Sequence, residues 1–233
     1  MKSNLLPPIQ ETFPEVFILE SLTLADERKR RLEGRVLADV LRMCGKSPEY
    51  FYFRTEQELE QLILEFRRSG YRFLHLSCHG NDSELATTYG HVAYTRFAQL
   101  SAGHLQNRRL FVSACEVGNE LFSELVSAKN RGMYSIASPK VSIPFDKAVA
   151  LWSALYVHMF SVDESYVKAK DIDEALTSLC SLFDIPFMFS IYHAERDGWE
   201  HRTIPGRSTA SAVSKPILKT LTNPPALNQS GEA

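Results

Sequence analysis

The chain has 233 residues, 44% of them hydrophobic and 23% charged, which is enough for one domain with a buried core. Its 26 Lys and Arg against 28 Asp and Glu give a formal net charge of −2, without the basic excess that gripping a nucleic-acid backbone or an anionic membrane requires, so neither is expected as a partner. No apolar run nears the ~20 residues of a bilayer span, and Met1-Lys2-Ser3-Asn4-Leu5-Leu6-Pro7-Pro8 lacks the apolar core of a signal peptide, so a cytoplasmic protein is expected.

Residues 1–15, with Pro7, Pro8 and Pro14, read as an irregular lead-in. Val16-Phe17-Ile18-Leu19 is a candidate strand. One helix is expected from Asp26 to Met43, with apolar residues at Leu32, Val36, Leu37, Val40 and Leu41 and Gly45 as a stop. The run Arg28-Lys29-Arg30-Arg31 reads as a solvated face at its start. Tyr50 to Phe53 is strand-like, and Thr55-Glu56-Gln57-Glu58 is a capping box opening a helix that runs to Gly70. Arg72 to Ser77 is a strand, expected to break into a loop over Cys78-His79-Gly80-Asn81-Asp82. Thr88 to Tyr94 suggests a hairpin and Arg96 to Leu100 a short helix. Strands at Leu110–Ser113, Tyr134–Ala137 and Phe187–Tyr192 alternate with helices at Asn119–Lys129, Pro144–Phe160 and Asp171–Phe183. Such alternation, with several strands apolar throughout, predicts a three-layer α/β sandwich of about six strands, mostly parallel, with helices on both faces. The domain is expected over 16–202, with a mobile tail rich in Pro, Ser, Thr and Asn over 203–233.

Parallel sheets of this type hold ligands beyond the carboxyl ends of their strands. Two such ends carry reactive side chains: His79 after Leu74-His75-Leu76-Ser77-Cys78, and Cys115 after Leu110-Phe111-Val112-Ser113-Ala114. A thiol with an ordinary pKa near ~8.5 is mostly protonated at neutral pH, so a nucleophilic cysteine needs a base beside it. An imidazole can take that proton and later return it to a leaving amine. Gly80, lacking a Cβ, could bring its N–H close to a substrate carbonyl and, with the Cys115 N–H, form an oxyanion hole. The turn after the first strand, Glu20 to Ala25, has no glycine-rich loop to cradle phosphate.

Cys44, Cys78, Cys115 and Cys180 are widely spaced and read as free thiols. Cys78 reads as packing, and His75 as a histidine satisfied in the core. His91, His104, His158, His193 and His201 lack ligand spacing with any cysteine, so neither metal nor cofactor is expected.

The paired segments resemble those of caspase-like (clan CD) cysteine peptidases, and more closely the CHAT group. His75-Leu76-Ser77-Cys78-His79-Gly80 is similar to that group's first motif, and Ser113-Ala114-Cys115-Glu116-Val117-Gly118 to its second. Gly132, Ile136-Ala137-Ser138, Asp146 and Tyr156 follow in the order of a third segment, although the Trp-Pro usual after the Ser is here Pro139-Lys140-Val141. The resemblance covers about Val16 to Tyr192. It implies a caspase-like fold and a cysteine endopeptidase with Cys115 as nucleophile and His79 as its partner. It also implies limited cleavage of protein substrates, plausible in a bacterial defence or regulated cell-death system, with an activating or sensor protein as a further partner. By position in the motifs, Ser113 and Ser138 are candidates for the substrate pocket. Asp146 reads equally as a pocket acid or as a cap of the following helix, and Glu116 as a structural acid. The alternative is a catalytically inactive domain of the same fold, used as a signalling or interaction scaffold.

Overall fold

The computed structural model describes residues 11–163 and 168–209. Its centre is a sheet in the order β2-β1-β3-β6-β7-β8-β9. These strands are Phe13–Ser21 (β1), Glu49–Tyr52 (β2), Tyr71–Gly80 (β3), Arg109–Ser113 (β6), Ser135–Pro139 (β7), Phe187–His193 (β8) and Gly198–Ile204 (β9). The first five in that order run parallel, and β8 and β9 are antiparallel to their neighbours. A hairpin, Glu84–Thr87 (β4) and Gly90–Ala93 (β5), pairs with the far end of β3.

Both faces of the sheet are covered, which is why its inner strands are apolar at successive positions. On one face Val16, Ile18, Phe73, Phe111 and Ala137 meet three helices, Glu33–Met43 (α2), Phe145–Val162 (α6) and Ala169–Phe183 (α7). On the other, Phe17, Leu19, Leu74, Leu76, Leu110, Val112 and Ile136 meet Glu56–Ser69 (α3), Tyr94–Leu100 (α4) and Glu120–Lys129 (α5). The three-layer α/β architecture with a mostly parallel sheet is therefore as the alternation of elements predicts.

Several local readings differ in the structure. The expected helix from Asp26 is two: Leu24–Arg28 (α1) and α2 are separated by a turn in which Arg30 has φ 56°. Arg31 folds back there to pair with Asp26, and the cationic run stays exposed without forming a helical face. The expected loop at Cys78 is strand through Gly80, because β4 supplies new pairing as β6 ends: His79 faces Ala86 and Gly80 faces Leu85. The expected hairpin turns earlier in the chain, at 88–89, with strands over 84–87 and 90–93. The sheet gains a strand, β9, across the boundary expected at 202. Of the lead-in and tail, residues 1–10 and 210–233 lie outside the described residues, while Phe13–Glu15 belong to β1. Among the described residues no helix is long and apolar enough to cross a membrane.

Candidate active site

Register brings the two motif segments together. Ser77 on β3 faces Ser113 on β6, the last pair of their ladder. His79 and Cys115 each follow two residues later, past the carboxyl end of the parallel ladder. An even offset from paired residues keeps both on one face of the sheet. Both line a cleft of about 200 Å³, with Cys78, Ser113, Ser142, Ile143, Phe145 and Glu33 among its other walls.

Glycine is needed in both motifs because the strand ends touch. A Cβ on Gly80 would lie 2.9 Å from Val117 Cγ2 and 3.3 Å from the Ala114 Cβ and the Cys115 carbonyl oxygen. A Cβ on Gly118 would lie 2.4 Å from the Ser138 carbonyl oxygen, and the Gly118 N–H donates to the Pro139 carbonyl at 2.7 Å. Asn119 locks the turn between them. Its Oδ1 caps α5 by accepting from the Phe122 N–H (2.9 Å), while its Nδ2 donates to the Glu116 carbonyl (3.0 Å). Glu116 itself is exposed and takes φ 63° in this turn.

His79 is held from behind. Its Nε2 lies 2.9 Å from Asp26 Oδ2, and Phe145 meets the ring edge-on at 5.6 Å between centroids. Asp26 comes from α1, just beyond the carboxyl end of β1, the strand paired to β3. Its carboxylate also accepts from Thr23 Oγ1 (2.6 Å) and Arg31 Nη1 (3.0 Å). Burial pushes the Asp26 carboxyl up, but the hydrogen bonds from Thr23, His79 and Arg31 outweigh it and hold the group below the usual aspartate value. A fixed carboxylate on one ring nitrogen orients an imidazole and leaves the other nitrogen, Nδ1, clear of that carboxylate.

Cys115 is half-buried, and its Sγ lies 3.3 Å from Ser142 Oγ in the 140–144 segment. Cys78 is buried one residue from His79, and burial pushes its thiol far above the ordinary range, as suits a packing residue. His75 is fully buried against Trp152 and Tyr156, whose hydroxyl is 3.3 Å from Nδ1.

The other sequence candidates divide. Ser113 lines the cleft, and its buried Oγ has no hydrogen-bond partner among the described residues. Ser138 does not reach the cleft. It is fully buried on the strand face shared with Ile136, opposite Ala137, where the Gly118 turn packs on its carbonyl. Asp146 is exposed in the first turn of α6 and neither lines the cleft nor caps the helix, whose cap residue is Pro144 without a side-chain bond. Asp26, Glu33 and Ser142 were missed. The strand-end rule points toward Asp26, which lies on α1, five residues past the carboxyl end of β1. Nothing in the local sequence marks Glu33 or Ser142. Among the described residues no group of three or more His, Cys, Asp or Glu is placed to hold a metal ion.

No protein-family model matches the sequence, and no curated protein sequence does. Among solved structures, the chain is similar to the complex of the RgpB pro- and mature domains from Porphyromonas gingivalis (TM-score 0.47, 12% identity, 72% of this chain and 43% of that one). It is similar to an inactive zymogen C11 protease from Parabacteroides distasonis (TM-score 0.49, 12% identity, 78% of this chain and 63% of that one). It is also similar to caspase-1 from Spodoptera frugiperda (TM-score 0.48, 16% identity, 74% of this chain and 78% of that one). The chain thus spans 43% and 63% of the first two. None of the three lends a residue role to this chain.

Proposed function

We propose that the chain is a caspase-like cysteine endopeptidase of the CHAT type that makes limited cuts in protein substrates. The observation that carries this reading is the Ser77–Ser113 register, two residues beyond which His79 and Cys115 share one cleft, with His79 oriented by Asp26. In this reading the Cys115 thiol gives its proton to His79 as sulfur attacks the substrate carbonyl carbon. The oxyanion is held by the Gly80 and Cys115 N–H groups. The C–N bond then breaks, the proton passes from His79 to the leaving amine, and a thioester remains. Water, deprotonated by His79, hydrolyses the thioester and restores the thiol. Asp26 stabilises the imidazolium of each step. The substrate is an extended protein segment, and the setting is a bacterial defence or cell-death system switched on by a partner protein.

Cleavage of a proteome-derived peptide library by wild type and Cys115→Ala tests this. The variant loses activity by about 10³-fold or more. Equal cleavage by both proteins would overturn the reading. A second reading, an inactive domain serving as a binding scaffold, is favoured by one contact: the Cys115 sulfur sits against Ser142 Oγ. It requires that Cys115 alkylate no faster than an ordinary exposed thiol.

A further inference from the structure

The cleft contains an acid that the cysteine and histidine do not use. Glu33, the first residue of α2, is 3% exposed and lines the cleft beside Cys78, Ser113 and Cys115. Its Oε1 has no hydrogen-bond partner among the described residues. His75 Nε2 stands 3.7 Å away, close enough for an ion pair when that ring is protonated but too far for a hydrogen bond, and it too has no hydrogen-bond partner among the described residues. A buried carboxylate oxygen left without a donor is costly, and in a cleft it is accounted for by a donor that arrives with the ligand.

The rest of the cleft says what kind of donor. Ser113 Oγ is a second buried acceptor without a partner, and Ile143, Phe145 and Ala148 provide apolar wall. The volume of about 200 Å³ holds roughly six waters at ~30 Å³ each, the room of one long side chain. Apolar wall beside buried polar atoms suits a side chain with a hydrocarbon stem and a cationic tip. An acidic side chain would bring a second negative charge to Glu33, and an aliphatic one would leave Oε1 unpaired. Arg31, the nearby cation at the rim, is already paired with Asp26 and lies over the Phe145 ring. Because Cys115 is itself a wall of this cleft, the occupant proposed here is the residue whose carbonyl the sulfur attacks.

We propose that Glu33 selects a basic residue, Arg or Lys, immediately before the scissile bond. This rests on the endopeptidase reading of Cys115 and His79. The test uses three peptidyl acyloxymethyl ketone probes identical except for a final Arg, Leu or Asp, with labelling of Cys115 followed by intact mass. The Arg probe is expected to label wild type about tenfold or more faster than the Leu probe, and the Asp probe slowest. Glu33→Gln should cut the Arg-to-Leu rate ratio by about tenfold or more, because a site built to pair a polar group discriminates strongly only while the pairing group is present. If that variant does not fold, the wild-type ratio and Glu33→Asp, with the same charge on a shorter stem, decide the matter. Leu or Asp probes labelling wild type as fast as Arg, or a ratio unchanged in a folded Glu33→Gln, overturn the basic preference alone. Failure of all three probes at a Cys115 that iodoacetamide still alkylates overturns the endopeptidase reading, and the preference with it.

Discussion

The proposed chemistry of the cleft turns most on the contact between His79 and Asp26. Three donors converge on that carboxylate, from Thr23, Arg31 and His79, and the Asp26 side chain is only 11% exposed. A carboxylate held this way does not follow the ring if the ring rotates, so it fixes both the orientation and the tautomer of His79. Replacing it by the isosteric amide keeps the shape and removes the charge that, in the proposed mechanism, stabilises the imidazolium. For Asp26→Asn the expected result is a fall in kcat of about 10² to 10⁴-fold, the range seen when a catalytic histidine loses its orienting carboxylate, with KM nearly unchanged. Steady-state kinetics on a peptide cut by wild type checks this. A change confined to KM would mean that Asp26 shapes the cleft without orienting the histidine.

At the scale of elements, the turn carrying Cys115 is wedged between β3 and the end of β7, and the two motif glycines are where it touches. The contacts differ in kind. A methyl group on Gly118 would meet the Ser138 carbonyl oxygen at 2.4 Å, and Ser138 and Pro139 are pinned by pairing with Met188 and Phe187 of β8. A methyl group on Gly80 would meet the buried Val117 side chain at 2.9 Å and backbone only at 3.3 Å, the Cys115 carbonyl oxygen, a smaller overlap than that at Gly118. Gly118→Ala is therefore expected to lose about 1–3 kcal/mol of stability and most activity, and Gly80→Ala clearly less stability, measured by urea unfolding. The reverse ranking would refute this packing account. These elements also show what was legible in the sequence. His79 and Cys115 stood out because each directly follows an apolar strand, and the alternation of strands and helices gave the layers. The pairing of β3 with β4 did not stand out, so Cys78 to Gly80 read as loop although they are strand. Ser138 read as a pocket residue from its motif position, but one step along a strand reverses the face, and its side chain points away from the cleft. Glu33 and Ser142 reach the site from α2 and from the segment before α6, approaches set by tertiary packing that no local pattern records.

For the molecule as a whole, the cleft sits where α1 and α2 meet the carboxyl edge of the sheet, and a buried acid on β1 governs how firmly α2 is docked there. Glu20 is fully buried and accepts from the Gly34 N–H of α2 (2.8 Å) and from Tyr50 Oη on β2 (2.7 Å). Gly34 lies so close that an added Cβ would stand 2.9 Å from Ile18 Cγ2. Burial is the main cause that pushes the Glu20 carboxyl up, to about 7 from 4.5, and the neighbouring Glu33 adds to it while the bonds from Tyr50 and Gly34 only partly oppose it. An acid whose pKa is higher in the folded state binds its proton more tightly there than in the unfolded chain. Its contribution is complete below the unfolded value and is lost as pH rises through the folded one. Between about pH 5 and about pH 8 this carboxyl alone withdraws on the order of 2 kcal/mol of stability, a sizeable part of the 5–15 kcal/mol typical of a domain. Glu20→Gln keeps a neutral side chain of the same shape at every pH. The expected result is that urea unfolding at the two pH values shows wild type losing about 2 kcal/mol more than Glu20→Gln on going to the higher pH. Equal losses in the two proteins would mean that the β1–α2 junction carries its carboxylate charged throughout this range.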